Sequence, residues 1–112
     1  MQLRQVKEIL GAEVLCGEER LEEEVFSGFG SDFLSDVLAY THEQELLLTG
    51  RVNPQVIRTA EMTDIKCIVF IRGKRPDETM LRMAVERNIV LMTSALRLYT
   101  ACGLLYSMGL KG

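Results

Sequence analysis

Asp64-Ile65-Lys66-Cys67-Ile68-Val69-Phe70-Ile71-Arg72-Gly73-Lys74-Arg75-Pro76-Asp77-Glu78 holds a strand, a cationic turn and a helix start in one short stretch. Cys67 to Ile71 is an unbroken apolar run rich in β-branched residues, the pattern of a strand buried on both faces of a parallel sheet. Such a strand requires helices on both sides. Gly73 permits a tight turn, Pro76 suits the first helical position, and Asp77 and Glu78 sit favourably at the positive end of the helix dipole.

Upstream, Leu3, Val6, Ile9 and Leu10 recur at helical spacing before Gly11, which predicts a short first helix with a glycine stop. Ala12 to Cys16 and Val25 to Phe29 read as strands on either side of an acidic turn, Gly17 to Glu24, expected to be solvated. Ser31 or Asp32 is expected to cap a helix over 32–40. Leu46-Leu47-Leu48-Thr49 gives another strand. Asn53 as cap and Pro54 in the first turn open a helix whose apolar side is Val56, Ile57, Ala60 and Met62. Downstream, Met80, Leu81, Ala84 and Val85 face inward on a helix over 76–87, and Asn88 ends it in a left-handed cap before a strand over 89–92. Thr93 or Ser94 is expected to cap the last helix, which runs over Leu96, Leu98, Tyr99, Ala101, Leu104 and Leu105. The alternation predicts one α/β domain over 1–112, a three-layer α/β/α fold around a mainly parallel sheet of about four or five strands.

Composition excludes several classes. With 112 residues, 47% apolar and 26% charged, the chain has the profile of an ordinary globular domain. Its apolar runs fall far short of the roughly 20 residues of a membrane-spanning helix, and its start lacks a signal-peptide core, so a cytoplasmic, membrane-free protein is expected. Cys16, Cys67 and Cys102 show no C-x-x-C spacing, and His42 is the single histidine in a polar loop, so reduced buried thiols and no metal site are expected. Residues 1–50 carry eleven acids against three bases, net −8, and residues 51–112 carry five acids against ten bases, net +5. Opposed halves favour self-association or internal complementarity over binding a polyanion, and seven aromatic residues with an acidic pI argue against a nucleic-acid partner.

Three groups of residues have chemical promise. Gly28 and Gly30 before a helix resemble half of a dinucleotide-binding fingerprint, whose backbone N–H groups cradle phosphate; the alternative is a plain glycine turn. Asp32 and Asp36 are four apart and would share a helical face, a weak divalent-cation pair. Arg72-Gly73-Lys74-Arg75 sets three cations between a strand end and a helix start. Ligands of open α/β sheets bind beyond the carboxyl ends of strands. A phosphorylated small molecule is therefore assigned to Ser27, Gly28, Gly30, Ser31, Asp32, Asn53, Arg72, Gly73, Lys74 and Arg75. No catalytic residue and no cofactor is assigned.

The strand ending in Ile71-Arg72-Gly73, the helix opened by Pro76-Asp77-Glu78, the run Asn88-Ile89-Val90-Leu91 and Thr93-Ser94 resemble the DRTGG domain family. Within it, they are similar to the non-catalytic N-terminal domain of HPr kinase/phosphorylase. With S-G-F-G-S-D-F-L-S-D-V-L and L-L-L-T-G-R-V-N-P upstream, the resemblance spans residues 25–106. The family's Thr-Gly-Gly element falls on Ile71-Arg72-Gly73 and its Asp-Arg pair near Val52 and Asn53. The resemblance implies a regulatory or oligomerisation module of the kind that accompanies CBS pairs, and the related fold of Mur ligase N-terminal domains implies that nucleotide-linked ligands are also within reach. Kinase activity in that family resides in a separate P-loop domain, and G-x-x-x-x-G-K-[ST] does not occur here. The expectation is a non-enzymatic homodimeric regulatory or scaffold module acting through protein contacts; the alternative is a sensor of a phosphorylated metabolite.

Overall fold

In the computed structural model, residues 1–41 and 45–112 are described. The expected loop histidine, His42, lies outside them. The chain runs α1 (Leu3–Leu10), β1 (Glu13–Cys16), a 3-10 turn (Glu18–Arg20), β2 (Gly28–Gly30), α2 (Leu34–Tyr40), β3 (Leu46–Thr49), α3 (Pro54–Met62), β4 (Cys67–Phe70), α4 (Glu78–Glu86), β5 (Val90–Thr93) and α5 (Leu98–Ser107). The sheet order is β1-β5-β4-β3-β2; β2 to β5 are parallel and β1 joins β5 antiparallel, with a bulge between Val14 and Cys16.

From β2 to β5 each crossover steps one strand in the same direction. Right-handed crossovers of constant direction put their helices on one face, which is where α2, α3 and α4 lie. Leu47, Ile68, Phe70 and Leu91 point to that face and pack with Val37, Ile57 and Met80. Leu46, Leu48, Cys67, Val69, Val90 and Met92 point the other way, against Leu3, Val6, Ala101 and Leu105 of α1 and α5. All four residues of β3, of β4 and of β5 are buried. A strand covered on both sides has no polar face, so the unbroken run Cys67–Ile71 has its physical cause here.

Local signals hold where the chemistry is local. Gly11, Gly73 and Asn88 all adopt left-handed backbone, at φ 57, 70 and 57. Asp77 is the N-cap of α4, its carboxylate accepting the Met80 N–H at 2.9 Å. Pro76 thus precedes the helix rather than opening it. Asp77→Ala is expected to lower stability by about 1 kcal/mol, which urea unfolding would read as a shifted midpoint at unchanged slope.

Elsewhere distant partners move the boundaries. Val25 donates to the Met1 carbonyl instead of joining β3, so β2 begins at Gly28 and not at Val25. Neither Ser31 nor Asp32 caps α2, which starts at Leu34 after Phe33. The Ser31 hydroxyl accepts the Phe33 N–H, and Asp32 turns away to another loop. Thr93 and Ser94 do not cap α5, whose N-cap is Arg97. Their hydroxyls donate instead to the Lys74 and Leu10 carbonyls, tying β5 to its neighbours. Asn53 occupies the N-cap position of α3, but its side chain makes no capping bond. Met62 and Val85, expected inward, are exposed because each sits at the flank of a helix whose inner stripe is already filled. Cys67 is buried, whereas Cys16 and Cys102 are only half-buried; all three are free thiols.

Candidate functional site

The parallel strands β2 to β5 deliver their carboxyl ends, and hence their following loops, to one end of the sheet. Ser31 and Asp32 follow β2, Gly50 to Asn53 follow β3, Arg72 to Arg75 follow β4, and Ser94 to Arg97 follow β5. Glu13 opens antiparallel β1 opposite Thr93, so it lies at this end too. These loops form a crown.

Asp32 is its centre. Its carboxylate accepts the Gly50 N–H at 2.6 Å and the Thr49 hydroxyl at 3.4 Å, and stands 3.9 Å from the Arg72 guanidinium. Arg72 reaches it by lying across Gly50: a Cβ there would stand 2.9 Å from the guanidinium carbon. Arg72 also holds a left-handed backbone, φ 57, which a non-glycine residue adopts only at a cost. Its own N–H donates to the Leu96 carbonyl at 2.7 Å, and that of Gly73 to the Ser94 carbonyl at 2.8 Å. The Arg72 and Gly73 amides are therefore spent on the β5–α5 loop and that of Lys74 on the Ile71 carbonyl, and the turn also offers side-chain charge outward.

The other assigned residues divide. Arg75 forms a two-pronged pair with Glu13, both bonds 3.0 Å. That guanidinium holds the Glu13 carboxyl below the usual carboxylate range, and Glu13 in turn raises Arg75. Lys74 is exposed and its carbonyl accepts from Thr93. Asn53 belongs to the crown, and its Oδ1 is buried without a partner among the described residues. Ser27 and Gly28 do not belong to it: they start β2 at the amino end, where the Gly28 N–H donates to the Lys111 carbonyl and Ser27 accepts from Glu45 and Leu46. Gly30 ends β2 beneath α5, since a Cβ would meet Cys102 Sγ at 2.6 Å. Asp32 precedes α2, so Asp32 and Asp36 do not share a helical face. Among the described residues no group of three metal-ligating side chains occurs.

Two crown cations escaped sequence reasoning. Arg51 follows Gly50, over which Arg72 lies, and Arg97 follows Leu96, which accepts from Arg72. Both are exposed. Among the described residues no carboxylate lies within ion-pairing distance of Arg51, Lys74 or Arg97. A survey of cations in every strand-to-helix connection, rather than in the densest one, would have found them.

A second surface lies at the β2 edge. A cleft of about 180 Å³ opens between β2 and α5, lined by Gly28, Gly30, Cys102, Tyr106 and Leu110 among others. Beside it the outer side of α5 exposes Tyr99 (92%), Leu104, Tyr106 (57%) and Met108. No charged side chain occurs from Leu98 through Leu110.

No curated protein matches this sequence. Among solved structures, the chain is similar to the CBS and DRTGG domains of the regulatory region of Clostridium perfringens pyrophosphatase, a structure described as complexed with the activator diadenosine tetraphosphate. The TM-score is 0.75 at 18% identity, over 93% of this chain and 45% of that one. This chain therefore spans a little under half of that regulatory region. The DRTGG domain model matches residues 5–108, so the crown, the sheet and all of the helical layers but the first two residues of α1 fall inside it. The chain belongs to the DRTGG domain family.

Proposed function

We propose that this chain is a non-catalytic regulatory module that works by association, in the first instance with a second copy of itself through the α5 and β2 edge. The observation that carries this is the uncharged outer face of α5. A helix in contact with water normally presents charged and polar side chains opposite its core stripe. Here Ala101 and Leu105 already supply the core stripe, yet Tyr99, Leu104, Tyr106 and Met108 remain outside. Such a patch marks a surface that another surface covers. α5 itself brings no charge to a contact with its own copy about a two-fold axis, although the Lys111 ammonium lies over the Tyr106 ring, 3.9 Å from its centroid, and at Gly103 nothing lies within 4 Å of where a Cβ would stand, which lets a facing backbone approach. The short β2, an edge strand with two glycines, continues that surface.

The test is Leu104→Arg combined with Tyr106→Arg. Both positions are exposed, so the fold should be retained and the melting curve little changed. Size-exclusion with light scattering at about 50 μM, near the weak end of specific association, is expected to give a dimer for the parent and a monomer for the variant. A variant that dimerises as the parent does would rule out this face. The lack of a P-loop supports a non-catalytic role, and a cytoplasmic location is part of the same reading. Among the described residues no helix is long and apolar enough to cross a membrane.

A second reading is a sensor of a phosphorylated small molecule at the crown. It is supported by the exposed Arg51, Arg72, Lys74 and Arg97 at strand carboxyl ends and by the nucleotide activator named for the structural neighbour.

A further inference from the structure

We infer that the crown is a polyphosphate site whose anion seat is filled, in the free chain, by the protein's own Asp32, so that ligand and Asp32 compete for Arg72. The inference rests on the second reading above and specifies its residues and its control.

The seat is built for an anion. A backbone N–H from Gly50 and a hydroxyl from Thr49 meet one oxygen of the Asp32 carboxylate, and the Arg72 guanidinium stands 3.9 Å from the other, a combination of groups suited to phosphate oxygens. Gly50 has no side chain, which lets the guanidinium lie over the amide. The occupant is a carboxylate on a loop, not a helix cap. Its bond to Arg72 is the loose member of the set: 3.9 Å, with both side chains more than two-fifths exposed. Exposed pairs of that kind contribute little and exchange readily. The Gly50 bond, at 2.6 Å, is the tight one.

Around the seat, charge is arranged to favour a larger anion than one carboxylate. Arg51 adjoins Gly50, Arg97 adjoins the Leu96 carbonyl that fixes Arg72, and Lys74 follows on the same turn. These three lack carboxylate partners among the described residues, whereas Arg75 is engaged by Glu13. A single phosphate would meet Arg72 and Asp32 together and gain little. A chain of several phosphates can pair with more than one of the exposed crown cations Arg51, Arg72, Lys74 and Arg97, and so outweighs the one resident carboxylate. Displacement of Asp32 frees the Gly50 loop and the start of α2 together, because Asp32 joins them.

The experiment titrates inorganic tripolyphosphate and, separately, ATP into the full chain without divalent cation, by calorimetry at low and moderate salt. The variants are Asp32→Asn, Arg51→Ala, Arg97→Ala, Arg72→Ala and Lys74→Ala. Asparagine keeps an oxygen for the Gly50 N–H but removes the competing charge, so Asp32→Asn is expected to tighten tripolyphosphate binding about fivefold, the effect of one unit charge near 4 Å in a largely aqueous setting. Arg51→Ala and Arg97→Ala are each expected to weaken it about three- to tenfold, and Arg72→Ala more than Lys74→Ala, because a guanidinium engages two oxygens in fixed geometry. Urea unfolding of each variant controls for loss of fold. Equal affinity for tripolyphosphate and ATP assigns recognition to the phosphate chain; tighter ATP assigns part of it to the nucleoside. Binding by the parent that Asp32→Asn leaves unchanged or weakens would overturn the competition while leaving a ligand site elsewhere on the chain. If neither parent nor Asp32→Asn binds at millimolar ligand, the inference and the sensor reading fall together.

Discussion

Phe70→Ala is expected to remove about 3–5 kcal/mol of stability, the range for emptying a buried aromatic site. Phe70 is fully buried near the carboxyl end of β4, in the centre of the sheet, on the face covered by α2, α3 and α4. Its strand neighbours are Thr49 and Thr93, both buried, and neither can move in to fill the space without giving up ladder pairing. A domain of this size has a total stability of roughly 5–15 kcal/mol, so the variant should be marginal or unfolded near physiological temperature. Denaturant unfolding followed by circular dichroism checks this. A loss below 1 kcal/mol would mean that the central layer is not packed as described.

The second large effect concerns Gly17, in the connection between β1 and the acidic turn. Its φ is 83, and a Cβ there would stand 2.8 Å from Val90 Cγ2 and 3.1 Å from Val90 Cα. Val90 is buried in β5, paired with Cys67 of β4, and its N–H donates to the Lys66 carbonyl, so its backbone cannot readily yield. Gly17→Ala therefore combines left-handed strain with overpacking, together roughly 2–5 kcal/mol. Gly73→Ala isolates the first component. At φ 70 with nothing within 4 Å, it carries only the conformational cost, about 1–2 kcal/mol. Comparable losses in the two variants, measured by thermal unfolding, would show that the contact with Val90 is absent.

The parts of this fold legible in the sequence are those that one segment decides alone. Cys67–Ile71 declares a two-faced strand because no residue in it is polar, and Gly11, Gly73 and Asn88 declare their turns because left-handed backbone selects for them. The DRTGG resemblance rested on the same segments and agrees with the family to which the chain belongs. What could not be read is set by partners far away in the sequence. Nothing near Asp32 announces that its carboxylate will bond Gly50 rather than cap α2. Nothing near Thr93 and Ser94 announces the Lys74 and Leu10 carbonyls. Ser27 and Gly28 were grouped with Gly30 by adjacency, yet the pairing of β2 with Lys111 places them toward the other end of the strand. Arg51 and Arg97 were invisible as site candidates because each is a lone cation, and only the parallel sheet brings them to one crown.

The clasp at Asp32 and the bare face of α5 are separate features, and either can exist without the other. Sedimentation velocity of the unmodified chain between about 1 and 100 μM, a range that brackets weak specific association, tests the central claim most directly. The account predicts a weight-average mass that rises with concentration from 12.7 kDa toward twice that value. A mass that stays at that of the single chain across the whole range would contradict it.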